Sequence, residues 1–182
     1  MNGGRLMEKN GISRQRLITG LVVAIWLSIT LFILELFGIH GGWPAFLTLM
    51  FFTLGGAKME SLKPIFIGGT VGLLAAALLV LGVEALMTVG IGMQVGIFIM
   101  VFLIVFLLVV LEDLSHLLFN SYSFAYFTVA LVPAQQATIE WLLVLYLGGG
   151  LFLGGVIFTL RYLKKSAIKK AQESQEAQEK TA

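Results

Sequence analysis

Residues 41–58 read Gly-Gly-Trp-Pro-Ala-Phe-Leu-Thr-Leu-Met-Phe-Phe-Thr-Leu-Gly-Gly-Ala-Lys, an apolar run fenced by a glycine pair at each end and closed by Lys58. Its apolar part, 45–57, is about 20 Å long as a helix, short of the ~30 Å hydrocarbon core of a bilayer. A run this short becomes a membrane element only in the company of longer ones, and the chain supplies four. Residues 17–39 form a first span of about 34 Å, ended by His40-Gly41-Gly42-Trp43-Pro44, where two glycines and a proline cannot extend a helix. Residues 65–86 form a third, 89 to about 111 a fourth with the helix continuing toward Leu118, and 141–162 a sixth with an aromatic anchor at each end. The fifth, about 122–138, resembles the second in being incomplete: Pro133 interrupts it and Gln135, Gln136 and Thr138 make its end polar.

Composition agrees with this partition. The 182 residues are 58% hydrophobic and 12% charged, with mean hydropathy +0.96, too little polar surface to coat a soluble globule of this length. All 12 Lys and Arg residues fall into three clusters: Arg5, Lys9, Arg14 and Arg16; Lys58 and Lys63; and Arg161, Lys164, Lys165, Lys169, Lys170 and Lys180. Six crossings place all three clusters on one face, the cytoplasmic one. The pI near 9.0 then reports topology, not an affinity for nucleic acid. A cleaved signal is excluded by length, because its apolar core needs only about 7 to 15 residues. The expected organisation is a cytoplasmic segment 1–16, an all-α transmembrane domain 17–162 of six helices, and a polar cytoplasmic tail 163–182. Both termini are then expected inside.

Sliding the sequence by 80 residues superposes residues 40–75 on 120–155 without gaps. Ala45 meets Ala125, Thr48 meets Thr128, Glu60 meets Glu140, and Gly68-Gly69 meets Gly148-Gly149, while Phe46 and Phe66 fall on Tyr126 and Tyr146. Halves of about 17–86 and 89–162, each with three spans, must then be inserted with opposite orientation. In such proteins the short or broken elements of the two halves meet near the midplane and line a solute path. Thr48 and Thr128 are the candidate hydroxyls of that path, with Phe46 and Tyr126 as its aromatic wall. A threonine bonded to its own helix carbonyl at i−4 is the purely structural alternative.

Ionisable groups extend the candidate path. Glu35 lies one turn from the outer end of the first span, where it either reaches outward or faces the bundle as a gate; Trp43 joins it at the outer mouth. Asp113 and His116, with Glu112 and Ser115 at helical spacing, stand at the inner mouth, where a solvated helix end is the plainer reading. Glycines at Gly68/Gly72, Gly92/Gly96 and Gly150/Gly154 follow the small-xxx-small spacing of close helix packing, within the chain or in a homo-oligomer. Gly69, Gly148 and Gly149 belong to the same packing set.

Cysteine is absent, which removes disulfides, thiolate catalysis and Cys-ligated metals, and the two histidines are expected on opposite faces. Ser115 and His116 are adjacent and so diverge on a helix, and no phosphate-binding loop occurs. The expectation is a protein without metal or cofactor, not an enzyme, whose partners are the bilayer, copies of itself and a small solute.

The stretch Gly42-Trp43-Pro44-Ala45-Phe46, the run Phe51-Phe52-Thr53-Leu54-Gly55-Gly56, then Gly68-Gly69 and Gly72, resembles the YcdZ-like family of small bacterial inner-membrane proteins, a domain of unknown function. The likeness continues through 124–134 and 148–155. More distantly, Trp43 to Thr48 followed by Gly68-Gly69-Thr70-Val71-Gly72 is similar to the membrane half of the fusaric-acid-resistance and aromatic acid exporters. That likeness implies organic-acid efflux; this chain lacks their cytosolic domain, and neither family supplies binding residues. The reading reached from the sequence is a channel or transporter for a small neutral molecule or organic acid. The alternative is a non-transporting accessory or assembly protein acting through its tail.

Overall fold

The computed structural model describes residues 14–133 and 137–179, and every regular element among them is helical. In order they are α1 Arg14–Leu36, α2 Trp43–Leu54, α3 Leu62–Thr88 preceded by a 3-10 turn at Met59–Ser61, α4 Met93–Val110, α5 Ser121–Ala130 and α6. Helix α6 starts as Thr138–Leu143, passes through a π-helical turn at Val144–Gly148 and continues as Gly149–Glu179. Four of these are long and apolar enough to cross a bilayer: Arg16–Leu36, Met59–Thr88, Met93–Val110 and Thr138–Ser166. With 12 and 10 residues, α2 and α5 are about 18 and 15 Å long and are not. This is the character of a helical membrane protein with two short helices among four long ones.

Local chemistry explains where the helices stop, and it moves several expected boundaries. The first span ends at Leu36, before the Gly41-Gly42 pair, because Gly38 at φ +67° reverses the chain, with Gly38 N–H donating to Glu35 O at 2.9 Å and Ile39 N–H to Leu34 O at 3.0 Å. Gly90, at φ +87°, closes α3 in the same way and delays α4 to Met93. Beyond Val110 the chain turns, so the expected continuation toward Leu118 does not form and the Glu112 to His116 cluster lies on turns. Helix α5 is shorter than 122–138: it ends at Ala130, and residues 131–133 turn before Gln135 and Gln136, which lie outside the described residues. In contrast, the last helix runs well past Tyr162, to Glu179.

The chain packs as two compact units. The larger, Thr30–Leu153, is centred on α3, which packs against both α4 and α5. Ile65, Leu73 and Ala76 of α3 and Tyr126, Phe127 and Ala130 of α5 are buried in it. Outward faces are apolar too, with Phe98, Phe102 and Val109 of α4 each at least 60% exposed, as lipid solvation requires and water does not permit over so long a face. The smaller unit comes from the chain on either side of that segment. There the Trp26 indole N–H donates to Thr159 Oγ1 at 2.9 Å, and Gly155 lies so close to the Trp26 ring that a Cβ has no room.

Candidate functional site

Helix α2 forms because Gly42 and Pro44 occupy its start, where a missing N–H costs nothing, and Gly55-Gly56 closes it. One turn into it, Thr48 is fully buried, and its hydroxyl donates to Pro44 O at 2.7 Å. The same oxygen is 2.8 Å from the Tyr126 phenol of α5, which also reaches Pro44 O at 3.1 Å. This closed triangle satisfies both hydroxyls in a place without water, where an unpaired one costs about 1–3 kcal/mol. It also joins the two short helices directly.

Glycines make that meeting possible. A Cβ on Gly149 would stand 3.0 Å from Thr48 Oγ1, and one on Gly69 would stand 3.1 Å from the Tyr126 ring and from Leu145. A Cβ on Gly148 would stand 3.1 Å from Leu34 and 3.4 Å from Ala45, and Gly68 and Gly72 lie against Asn120 and the Ser123 carbonyl with no space for a methyl. Thus α2 rests on the glycines of α6, and α5 rests on the glycines of α3. The π-helical turn falls at this contact, with Gly148 as its last residue. Two residues before it, Tyr146 Oη meets Thr70 Oγ1 at 2.7 Å, and its ring stacks on Phe66 at 5.5 Å.

Around the triangle runs a chain of ring contacts: Trp141 to Trp43 at 5.4 Å, Trp43 to Tyr126 at 6.1 Å, Tyr126 to Phe51 at 5.8 Å and Phe51 to Tyr122 at 4.8 Å. The Trp43 indole N–H is buried and has no hydrogen-bond acceptor, and the Thr30 hydroxyl of α1, fully buried, likewise has no partner. A donor left open beside aromatic walls can take a carbonyl oxygen from a guest.

The sequence-expected residues divide accordingly. Thr48, Tyr126 and Trp43 come together. Thr128 does not join them: it is exposed and donates to Phe124 O at 2.9 Å, the same i−4 bond that Thr48 makes to Pro44 O. Phe46 is 45% exposed and lies outside the ring chain. Glu35 is exposed beside His40, Nδ1 to Oε2 3.4 Å. Asp113 and His116 are exposed, His116 4.0 Å from Glu112. Among the packing glycines, Gly150 and Gly154 face open space.

Two features escaped the reading of the sequence. Asn120 caps α5, accepting from the N–H groups of Tyr122 and Ser123, while its amide donates to His116 O, Leu117 O and Pro64 O at 3.0, 3.1 and 3.4 Å. The Asn-x-x-Ser spacing at 120–123 was its signal. The Thr70 to Tyr146 bond had none, since both residues are ordinary in apolar helices. No family model, no curated protein and no solved structure matches the chain.

Proposed function

We propose that this chain is a transport protein of the bacterial inner membrane, crossing it six times as two inverted three-helix halves with both termini in the cytoplasm. The observation that carries the reading is the reciprocal seating of the short helices. The Gly148-Gly149 pair of α6 receives α2, its counterpart Gly68-Gly69 of α3 receives α5, and the Thr48 to Tyr126 bond links the two. Such an exchange is what an inverted repeat produces, and non-spanning helices at the midplane are where solutes bind in proteins of that design. The basic clusters on 14–16, 58–63 and 161–170 supply the orientation.

In this conformation the path is shut, because Thr48 and Tyr126 have no exposed surface. The hydroxyl triangle is the latch, and the open Trp43 N–H beside it suits the carbonyl of a small neutral molecule or a protonated organic acid. Gly150 and Gly154 form the face of α6 assigned to a second copy. The resemblance to the YcdZ-like proteins, drawn on residues 42–56 and 68–72, agrees with a small inner-membrane protein and adds no substrate.

A flux assay on purified protein in liposomes, screening urea, small amides, short carboxylates and monovalent ions against empty vesicles, tests this. Selective flux that rises severalfold in Tyr126→Phe, which lacks the phenol bond, is the expected result. Absence of flux for every solute from oriented, folded protein contradicts it. It would favour the accessory role, for which the observation is the continuation of α6 from Ser166 to Glu179, about 20 Å of polar helix.

A further inference from the structure

Helices α3 and α4 meet closely near the 89–92 turn and leave a groove between their side chains farther along. Near the 89–92 turn, Gly82 lies directly under the Met100 side chain and a Cβ on Gly96 would stand 3.5 Å from Val83, so the helices touch. Farther along, the glycine of α3 is Gly72, and it is turned to α5, against Ser123 and Phe127. Lining the space toward α4 there are Val71, Ala75 and Leu78, with Ile104, Leu108 and Leu111 on the other wall. A groove of about 220 Å³ results, lined by hydrocarbon on both walls and stopped at its end by Phe119. Leu108 also lines a second hollow of about 230 Å³, whose wall changes character to Glu112, Asn120 and Ser121. An apolar slot opening beside a carboxylate is the negative of an amphiphile.

We infer that this is a binding site for a phospholipid with a primary-amine headgroup, one acyl chain lying between α3 and α4 and the ammonium at Glu112. Charge selects that occupant. The Asn120 amide is fully committed to backbone carbonyls, so it shapes the hollow and is not free to recognise a headgroup. Glu112, with a side chain 45% exposed and His116 at 4.0 Å, is the one carboxylate lining the hollow. An anionic headgroup meets repulsion there, and a choline head cannot donate an N–H to the carboxylate. Lys63, next to Pro64, whose carbonyl takes the Asn120 amide, stands at the same end of α3 for the phosphate. The site requires the chain to be in a bilayer and is independent of whether it transports anything.

Full-length protein reconstituted in equal amounts of phosphatidylethanolamine, phosphatidylglycerol and phosphatidylcholine, then released in mild detergent, is analysed by native mass spectrometry for retained lipid. Wild type retains phosphatidylethanolamine in excess of both others. Ala75→Phe, which fills the slot, lowers retention about tenfold, and Leu78→Trp at the exposed rim does the same should the first variant fail to fold. Glu112→Gln keeps the acyl occupancy and loses the headgroup preference. Equal retention by the slot-filling variants, which leaves annular lipid only, overturns the site, and equal retention of the three lipids by wild type overturns the ammonium assignment.

Discussion

Two threonines of the larger unit show what a hydroxyl does in a lipid-surrounded core. Thr48 has two partners and Thr30 has none, although both are fully buried. Thr48→Val removes the 2.8 Å contact with the Tyr126 phenol, leaves that phenol only Pro44 O, and is expected to cost about 1–2 kcal/mol, whereas Thr30→Val removes an unpaired hydroxyl and is expected to be neutral or stabilising by up to ~1 kcal/mol. Unfolding of the two variants in detergent, compared with wild type, measures the difference. Ala57 offers a second case. It adopts φ +56° just after Gly56, a left-handed conformation that costs a residue with a Cβ about 1 kcal/mol. Ala57→Gly is therefore expected to raise stability by roughly that amount in the same assay. At this scale the sequence was legible for Tyr126, expected in the aromatic wall beside the short helices, while Trp43, expected at the outer mouth with Glu35, packs against Tyr126 and Trp141. It was not legible for the different fates of Thr48 and Thr128. Identical residues at matching positions differ because Thr48 is buried against the Tyr126 phenol, whereas Thr128 lies on the exposed face of α5.

Among the elements, glycines determine which helices touch. Gly72 lies against the backbone of α5, which cannot move aside as a side chain can, so Gly72→Ala is expected to destabilise by about 1–3 kcal/mol. Gly150, on the outward face of α6, meets nothing within 4 Å, and Gly150→Ala should leave the fold intact and gain up to ~1 kcal/mol of helix propensity. Thermal melts of the two proteins in one detergent, giving opposite signs, would bear this out; equal losses would mean α6 is packed on both sides. Both sites share the same small-xxx-small spacing, which is why spacing alone could not tell the packed glycines from the open ones. Helix ends were less legible than helix existence. Gly38 reverses the chain before the Gly41-Gly42 pair that the sequence makes conspicuous, and Gly90 delays the start of α4 to Met93. The π-helical turn at Val144–Gly148 carries no mark in composition, since it arises where α6 must fit α2.

For the molecule as a whole, the distribution of basic residues and the lengths of the apolar runs carried the membrane assignment, because both follow from the cost of charge and unpaired backbone in hydrocarbon. Crossing number is a finer matter, resting on α2 and α5. If both cross, aided by local thinning of the bilayer, Lys58 and His116 lie on the face of the termini and His40 lies opposite. If both turn back, Lys58 and His116 share the face of His40. The chain has no cysteine, so single cysteines need no background substitutions. The most direct measurement is labelling of Lys58→Cys, His116→Cys and His40→Cys by a membrane-impermeant maleimide in right-side-out vesicles, with and without permeabilisation. The inverted-halves account predicts that His40→Cys alone is labelled in intact vesicles and the other two only after permeabilisation. Labelling of all three from outside would contradict it and leave four crossings with two re-entrant helices.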